Sequence, residues 1–291
     1  MDTTTFMVTV FCLIDDWLKD QSLRRRGPTP ALRDSEVLTI EVVGEFLGID
    51  TDKGLYLHFR RYYSDWFPAL QRITRTTFVR QAANLWAVKS RLWQVVLERM
   101  NFDPAISLVD SFPVPVCRFA RAPRSKLIPG WTAFGHDQVA RQTFFGLRAH
   151  VRVSWPGVIT GVRLAPANIH DLDMVKEVLE GVTGWALADR NYWNPELLAD
   201  LQARGIWLLT PFKKASQEKQ PWPRWLTHMR YRIDTVFSQL TDRFHAKKVW
   251  ARDAWHLLSR WMRKILSHTI AVYFCLQTGL QPLHFADLLT D

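Results

Sequence analysis

The chain is predicted to be an α/β protein in which a mixed sheet is flanked by helices and preceded by an all-α N-terminal domain. Two observations predict this. Over residues 1 to about 100 apolar positions recur at helical spacing, as with Phe6, Val10, Leu13, Ile14 and Trp17. From Ala105 the period shortens to that of strands, and further on strand-like runs alternate with helical ones, the order that lays helices on a sheet. With 291 residues, 47% of them hydrophobic, there is ample material for a buried core.

A first helix is expected to end at Arg24-Arg25-Arg26-Gly27-Pro28, where proline and glycine break the pattern. Asp34, followed by Ser35 and Glu36, reads as a cap with acidic company for a helix from Val37 to Leu47, stopped by Gly48. Two stretches, Leu55–Tyr63 and Arg72–Arg80, interleave basic and aromatic residues. Such clusters contact phosphates or form the solvated face of an amphipathic helix, and the pattern alone fits both. A helix from Gln81 to Met100 closes the region.

Ala105 to Val116 is an apolar run with Asp110 at its mouth, stopped by Pro113 and Pro115. Residues 144–153 and 158–164 alternate in polarity around the turn Trp155-Pro156-Gly157, which predicts an antiparallel hairpin. A helix from about Leu172 to Glu180, a strand Trp185–Asp189, a helix begun by Asn194-Pro195-Glu196 and a strand Ile206–Thr210 follow. The polar loop Pro211–Pro223 is expected to be mobile, and Trp225–Phe244 and the amphipathic tail Trp255–Leu280, with Arg252, Arg260, Arg263 and Lys264 along it, read as helices. Three strands followed by alternating units is the order of the ribonuclease H-like fold. The implied domains are residues 1–100, helical; 101–250, the mixed sheet with its helices; and 251–291, a helical extension.

Lys and Arg number 38 against 28 Asp and Glu, so the net charge is 38 − 28 = +10, which favours a polyanionic partner such as nucleic acid. Cys12, Cys117 and Cys275 are odd in number and widely spaced, which argues against a disulfide framework or a zinc ligand set and fits a reducing cytoplasm. The most apolar segments, Phe6–Ile14 and Thr269–Leu276, are too short to cross a bilayer. Most of the 14 tryptophans are expected in the core or in dimer contacts.

An Asp at the end of a strand is often a turn-former. Here, however, Asp110 and Asp189 both close strands whose carboxyl ends should lie together, and Asp234 lies on the following helix. Three converging acids repel one another and call for hard, oxygen-preferring cations, Mg²⁺ or Mn²⁺. Two such ions roughly 3.5–4 Å apart serve phosphoryl transfer. Asp242, eight residues past Asp234, would point roughly 80° away and two turns along, a poor substitute.

Val109-Asp110-Ser-Phe-Pro-Val-Pro-Val-Cys117, Phe144-Phe-Gly-Leu-Arg148-Ala-His150, Pro166-Ala-Asn-Ile-His170-Asp171, Leu187-Ala-Asp189-Arg-Asn-Tyr192 and Arg230-Tyr-Arg-Ile-Asp234-Thr-Val-Phe-Ser-Gln-Leu240 together resemble the DDE transposases of bacterial insertion sequences, the insertion-sequence-982 family above all. The resemblance implies a Mg²⁺-dependent enzyme that cuts at the terminal inverted repeats of its own element and joins them to target DNA. It also implies a homodimer acting in the cytoplasm on the nucleoid, with Asp110, Asp189 and the position of Asp234 as catalytic, metal-holding acids. That family normally has Glu at the third position, where this chain has Asp234. A catalytically weakened or inactive DNA-binding relative is therefore the alternative. Arg75, Arg80, Arg148, Lys213, Lys214, Arg230, Lys247 and Lys248 are the expected DNA contacts. For Arg230 the alternative is an i,i+4 surface pair with Asp234, and its place in the family motif favours function; Asp171 fits a helix cap at least as well as a place near the site.

Overall fold

A computed structural model describes residues 1–21, 23, 28–212, 214 and 222–289. The chain forms two compact units: Met1–Met100 with Leu240–Ala246 and Asp253–Asp291, and Asn101–Gln239 with Lys247–Arg252.

In the first unit the described residues are helical: α1 (Thr3–Lys19), α2 (Asp34–Phe46), α3 (Asp52–Tyr62), α4 (Arg75–Asn84), α5 (Trp86–Glu98) and, from the far end of the chain, α9 (Ala254–Gln277). Asp34 proves to be the first residue of α2 and not its cap: Arg33 is the N-cap, and Glu36 accepts its N–H at 2.6 Å. The stretch expected as one helix from Gln81 breaks at Leu85, which caps both α4 and α5. The arginine run 24–26 lies outside the described residues.

Charges are buried at the centre of this unit. Arg263 and Lys264 on α9 read as basic positions of an amphipathic tail, yet both are about 1% exposed. Lys89 on α5 pairs with Glu41 at 2.6 Å and donates to Ser259 Oγ at 2.7 Å. Arg263 pairs with Glu45 at 2.6 Å and Asp52 at 2.9 Å, and Lys264 with Glu45 at 3.0 Å. Burial pushes Asp52 up, but Arg263 and Arg260 outweigh it and hold that carboxyl well below the usual range.

The second unit is a six-stranded mixed sheet: β1 (Asp103–Pro115), β2 (Ala133–Asp137), β3 (Gln142–Trp155), β4 (Val158–Pro166), β5 (Gly184–Leu187) and β6 (Ile206–Leu209). β3 pairs antiparallel with β1, and its other edge is shared end to end by β2 and β4. β1, β5 and β6 run parallel. Helices α6 (Asp171–Val178), α7 (Pro195–Ala203) and α8 (Arg224–Ser238) flank the sheet, and a π turn over Gln239–Arg243 ends the segment expected to be helical to Phe244. β2 is an addition to the predicted elements. The loop expected to be mobile lies largely outside the described residues.

β1 does not stop at its prolines. Its parallel pairing with β5 ends at Leu108↔Leu187, while the antiparallel pairing with β3 runs on to Pro115↔Gly146. The bond from Val116 N–H to Phe145 O shows that even-numbered nitrogens of β1 face β3, so those of 111, 113 and 115 face the edge that β5 has left. Proline's missing donor costs nothing there.

Gly184 starts β5 at φ +100°, and a Cβ on it would lie 2.5 Å from the Ala105 carbonyl oxygen of β1. Gly184→Ala is expected to cost about 2 kcal/mol or more, read as a lowered urea midpoint.

Candidate active site

Asp110 and Asp189 each stand two residues past the last β1–β5 pair, Leu108↔Leu187, and the charge of Asp189 acts on Asp110. Asp110 shares a strand face with Phe112, whose ring meets Phe237 of α8 edge-on at 4.8 Å. Phe237 is three residues from Asp234, so the packing that seats α8 on β1 also brings Asp234, on the exposed side of that helix, over the same stretch of strand. Asp110 itself is mid-strand, not at the strand's end as expected.

The opposite face carries a second set of groups. Ser111 stands across from His150 in register. Its hydroxyl donates to Asp171 at 2.6 Å and accepts from Arg148 at 3.3 Å, while Arg148 also donates to the His136 carbonyl at 2.9 Å. His150 Nδ1 lies 3.4 Å from the Asp171 carboxylate. Asp171 is therefore more than a helix start: it is the first residue of α6, tied across to β1.

Electrostatics bind these groups into one site. Burial pushes the Asp110 carboxyl up to about 7; the Ser111 N–H, donating at 2.7 Å, works against this, and the charges of Asp189, Asp234 and Asp171 add to it. Asp189 is also raised, first by burial and then by Asp171, while Asn191 and the Arg230 guanidinium pull it down. Asn191 serves both Asp189 oxygens, by its backbone N–H at 2.9 Å and its side-chain amide at 2.8 Å. Burial pushes His150 down to about 4, so its ring is neutral at physiological pH. Tyr192 is buried beside the acids and raised well above the usual phenol range, by burial first and then by Asp171 and Asp110.

A hydrophobic cluster of Val109, Val175, Val178, Tyr192, Leu197 and Leu201 fixes β1, α6 and α7 behind this site. Residues 102–250 match the family model described as the transposase DDE domain. The chain belongs to the DDE transposases. No curated protein matches it significantly.

A DDE transposase acts on DNA as a metal-dependent enzyme of the nuclease and transposase class. The donor chemistry fits a hard divalent ion, since the side chains that act on Asp110, beyond the burial that chiefly raises it, are the carboxylates of Asp189, Asp234 and Asp171. Among the described residues no three His, Cys, Asp or Glu side chains are gathered as a metal-holding group, and Asp234 is the outermost of the acids.

Of the basic residues singled out in the sequence, Arg148 and Arg230 reach this transposase's acids, the first through Ser111 and the second through its charge on Asp189. Arg75 and Arg80 are exposed on α4. Lys214, Lys247 and Lys248 are exposed too, with the Lys247 ammonium 3.9 Å from Asp137. Lys213 lies outside the described residues. Ser111, Asn191 and Tyr192 were missed as participants, although each stands within three residues of a predicted acid in a quoted motif. Among the described residues no helix is long and apolar enough to cross a membrane.

Proposed function

We propose that the chain is an insertion-sequence transposase, of the insertion-sequence-982 kind, which cuts at its element's terminal inverted repeats and joins them to target DNA. The strand order β4-β3-β1-β5-β6 supports reading the sheet as ribonuclease H-like. The observation that supports this reading most is that the charges of Asp189, just past the end of β5, and Asp234, on the helix packed against β1, both act on Asp110.

Asp110, Asp189 and Asp234 are the residues that would hold divalent metal, Mg²⁺ or Mn²⁺ and two ions in this reading. When bound, such ions supply Lewis-acid stabilisation of charge on the phosphodiester oxygens. The protein's own groups do the positioning. Asn191 orients Asp189, the Ser111 N–H orients Asp110, and Arg230 offsets the negative charge from α8. Arg75, Arg80, Arg148, Lys213, Lys214, Lys247 and Lys248 are proposed phosphate contacts, and residues 1–100 a DNA-binding and dimerisation domain, since two element ends must be held together.

The second reading, a relative that binds DNA and cuts poorly, is favoured by one observation: the third acid is the short, exposed Asp234 where the resembling family has Glu. Cleavage of DNA carrying the element's ends, assayed with Mg²⁺ and Mn²⁺, separates the two. Asp234→Glu is expected to raise the rate about 10–100-fold, because a displacement of about 1 Å at a reacting centre costs about that much. Binding without cleavage by either protein would sink the transposase reading in favour of the second.

A further inference from the structure

Away from the carboxylates, in the same unit, an open cavity of about 810 Å³ is lined by five cations, Arg118, Arg121, Arg124, Lys126 and Arg252, and by Trp250, with no carboxylate in its wall. Its basic wall is written in the sequence as Arg118-x-x-Arg121-x-x-Arg124. Phe119–Arg124 is a 3₁₀ helix with Arg118 as its N-cap, and a three-residue repeat steps its positions about 6 Å along the axis on one side, consistent with all three arginines lining the cavity. That spacing is comparable to successive phosphates on one nucleic-acid strand. All three arginines are exposed, and Trp250 is 50% exposed.

Tryptophan's distribution in this chain makes Trp250 notable. Among the described residues Trp93 and Trp261 are buried, while seven tryptophans are exposed. Trp250 differs from Trp66, Trp185 or Trp207 in lining a cavity whose charged residues are all cationic. An aromatic face beside a phosphate-tracking row takes a base only if that base is out of the duplex stack.

We propose that this cavity holds an unpaired nucleotide of a DNA strand, with its phosphates on the Arg118–Arg121–Arg124 row and its base on Trp250. The site deepens the transposase reading by naming a second place where the DNA is gripped. Val116, in the cavity wall, is six residues along the chain from Asp110, or about 20 Å at about 3.3 Å per residue. In B-DNA that is about six base steps at about 3.4 Å each. The nucleotide would therefore lie clear of the acids, in DNA flanking the position they act on.

The test is fluorescence anisotropy of the full chain in EDTA, so that nothing is cut, with a blunt duplex and the same duplex carrying a short single-stranded tail. Trp250→Ala is expected to weaken tailed DNA about tenfold and blunt DNA less than twofold, with Trp250→Phe recovering most of the loss. Replacing Arg118, Arg121 and Arg124 by serine should lower the salt-dependence slope on tailed DNA by about 2, at about 0.7 per phosphate. Equal loss on both DNAs, or no loss, overturns the proposal, as does tighter binding of an RNA tail than of a DNA tail. Cleavage is scored separately: a chain that never cuts but keeps the tail preference refutes the proposed function and upholds this site.

Discussion

Asp110→Asn is expected to abolish metal-dependent DNA cleavage and, in the absence of metal, to make the protein more stable at pH 8. The stability half follows from the carboxyl's environment. In the fold this group sits near 7, against an ordinary value of 3.8, chiefly because it is buried and secondarily because of three neighbouring aspartates. Between those values the native state keeps a proton that the unfolded chain has released, so stability falls as pH rises from about 4 to about 7 and stays low above. The loss is on the order of 2–4 kcal/mol, at about 1.36 kcal/mol per pH unit with allowance for the partly exposed position. Asparagine keeps an oxygen for the Ser111 N–H and removes the charge. Thermal melts at pH 5 and pH 8, with and without Mg²⁺, check this. The wild type should gain from Mg²⁺ at pH 8 and little at pH 5, where Asp110 holds its proton, whereas the variant should gain little at either. A variant no more stable than wild type in EDTA at pH 8 would contradict the assignment of a strained, anion-rich site.

The second large effect lies in the helical unit. Lys89→Met should destabilise the protein by about 3–5 kcal/mol, because Glu41 would keep a buried charge while losing its 2.6 Å partner and retaining only Arg263 at 3.4 Å. Against a typical stability of about 5–15 kcal/mol this is enough to unfold much of the chain at 37 °C. Adding Glu41→Leu to the same protein should recover most of the loss, since removing both members of a buried pair is often near neutral. Urea unfolding of the single and double variants measures the difference. Additive losses would mean that Lys89 acts through its bonds to Ser259 and the Ala82 carbonyl instead of through the pair.

These two sites differ in how far the sequence exposes them. Asp110, Asp189 and Asp234 are legible because strand period and chain order place them at matching positions, and the hairpin and the α7 start are legible from local turn and cap chemistry. β2 is not, because Ala-Phe-Gly-His-Asp carries no β-branched residue and is too short to display a period. The end of β1 is misread because proline signals a break, while the sheet offers an edge where its missing donor is harmless. Asp171 is ambiguous because an acid in the first turn of a helix already has a local explanation, and its partner Ser111 is sixty positions away. The burial of Arg263 and Lys264 is hidden for a similar reason: nothing within a helical turn announces that Glu41 and Glu45 will pair with them.

The ion network also sets a schedule for making the protein. Glu45 and Arg263 are 218 positions apart, so the acids of α2 leave the ribosome long before the cations of α9 exist. At about 5–20 residues per second the wait is roughly 10–40 s. Until then Glu45 lacks the cations it pairs with in the fold, so these buried pairs can close only after the sheet between the two halves has been synthesised. The N-terminal helices thus receive their last partners only when the end of the chain is delivered to them.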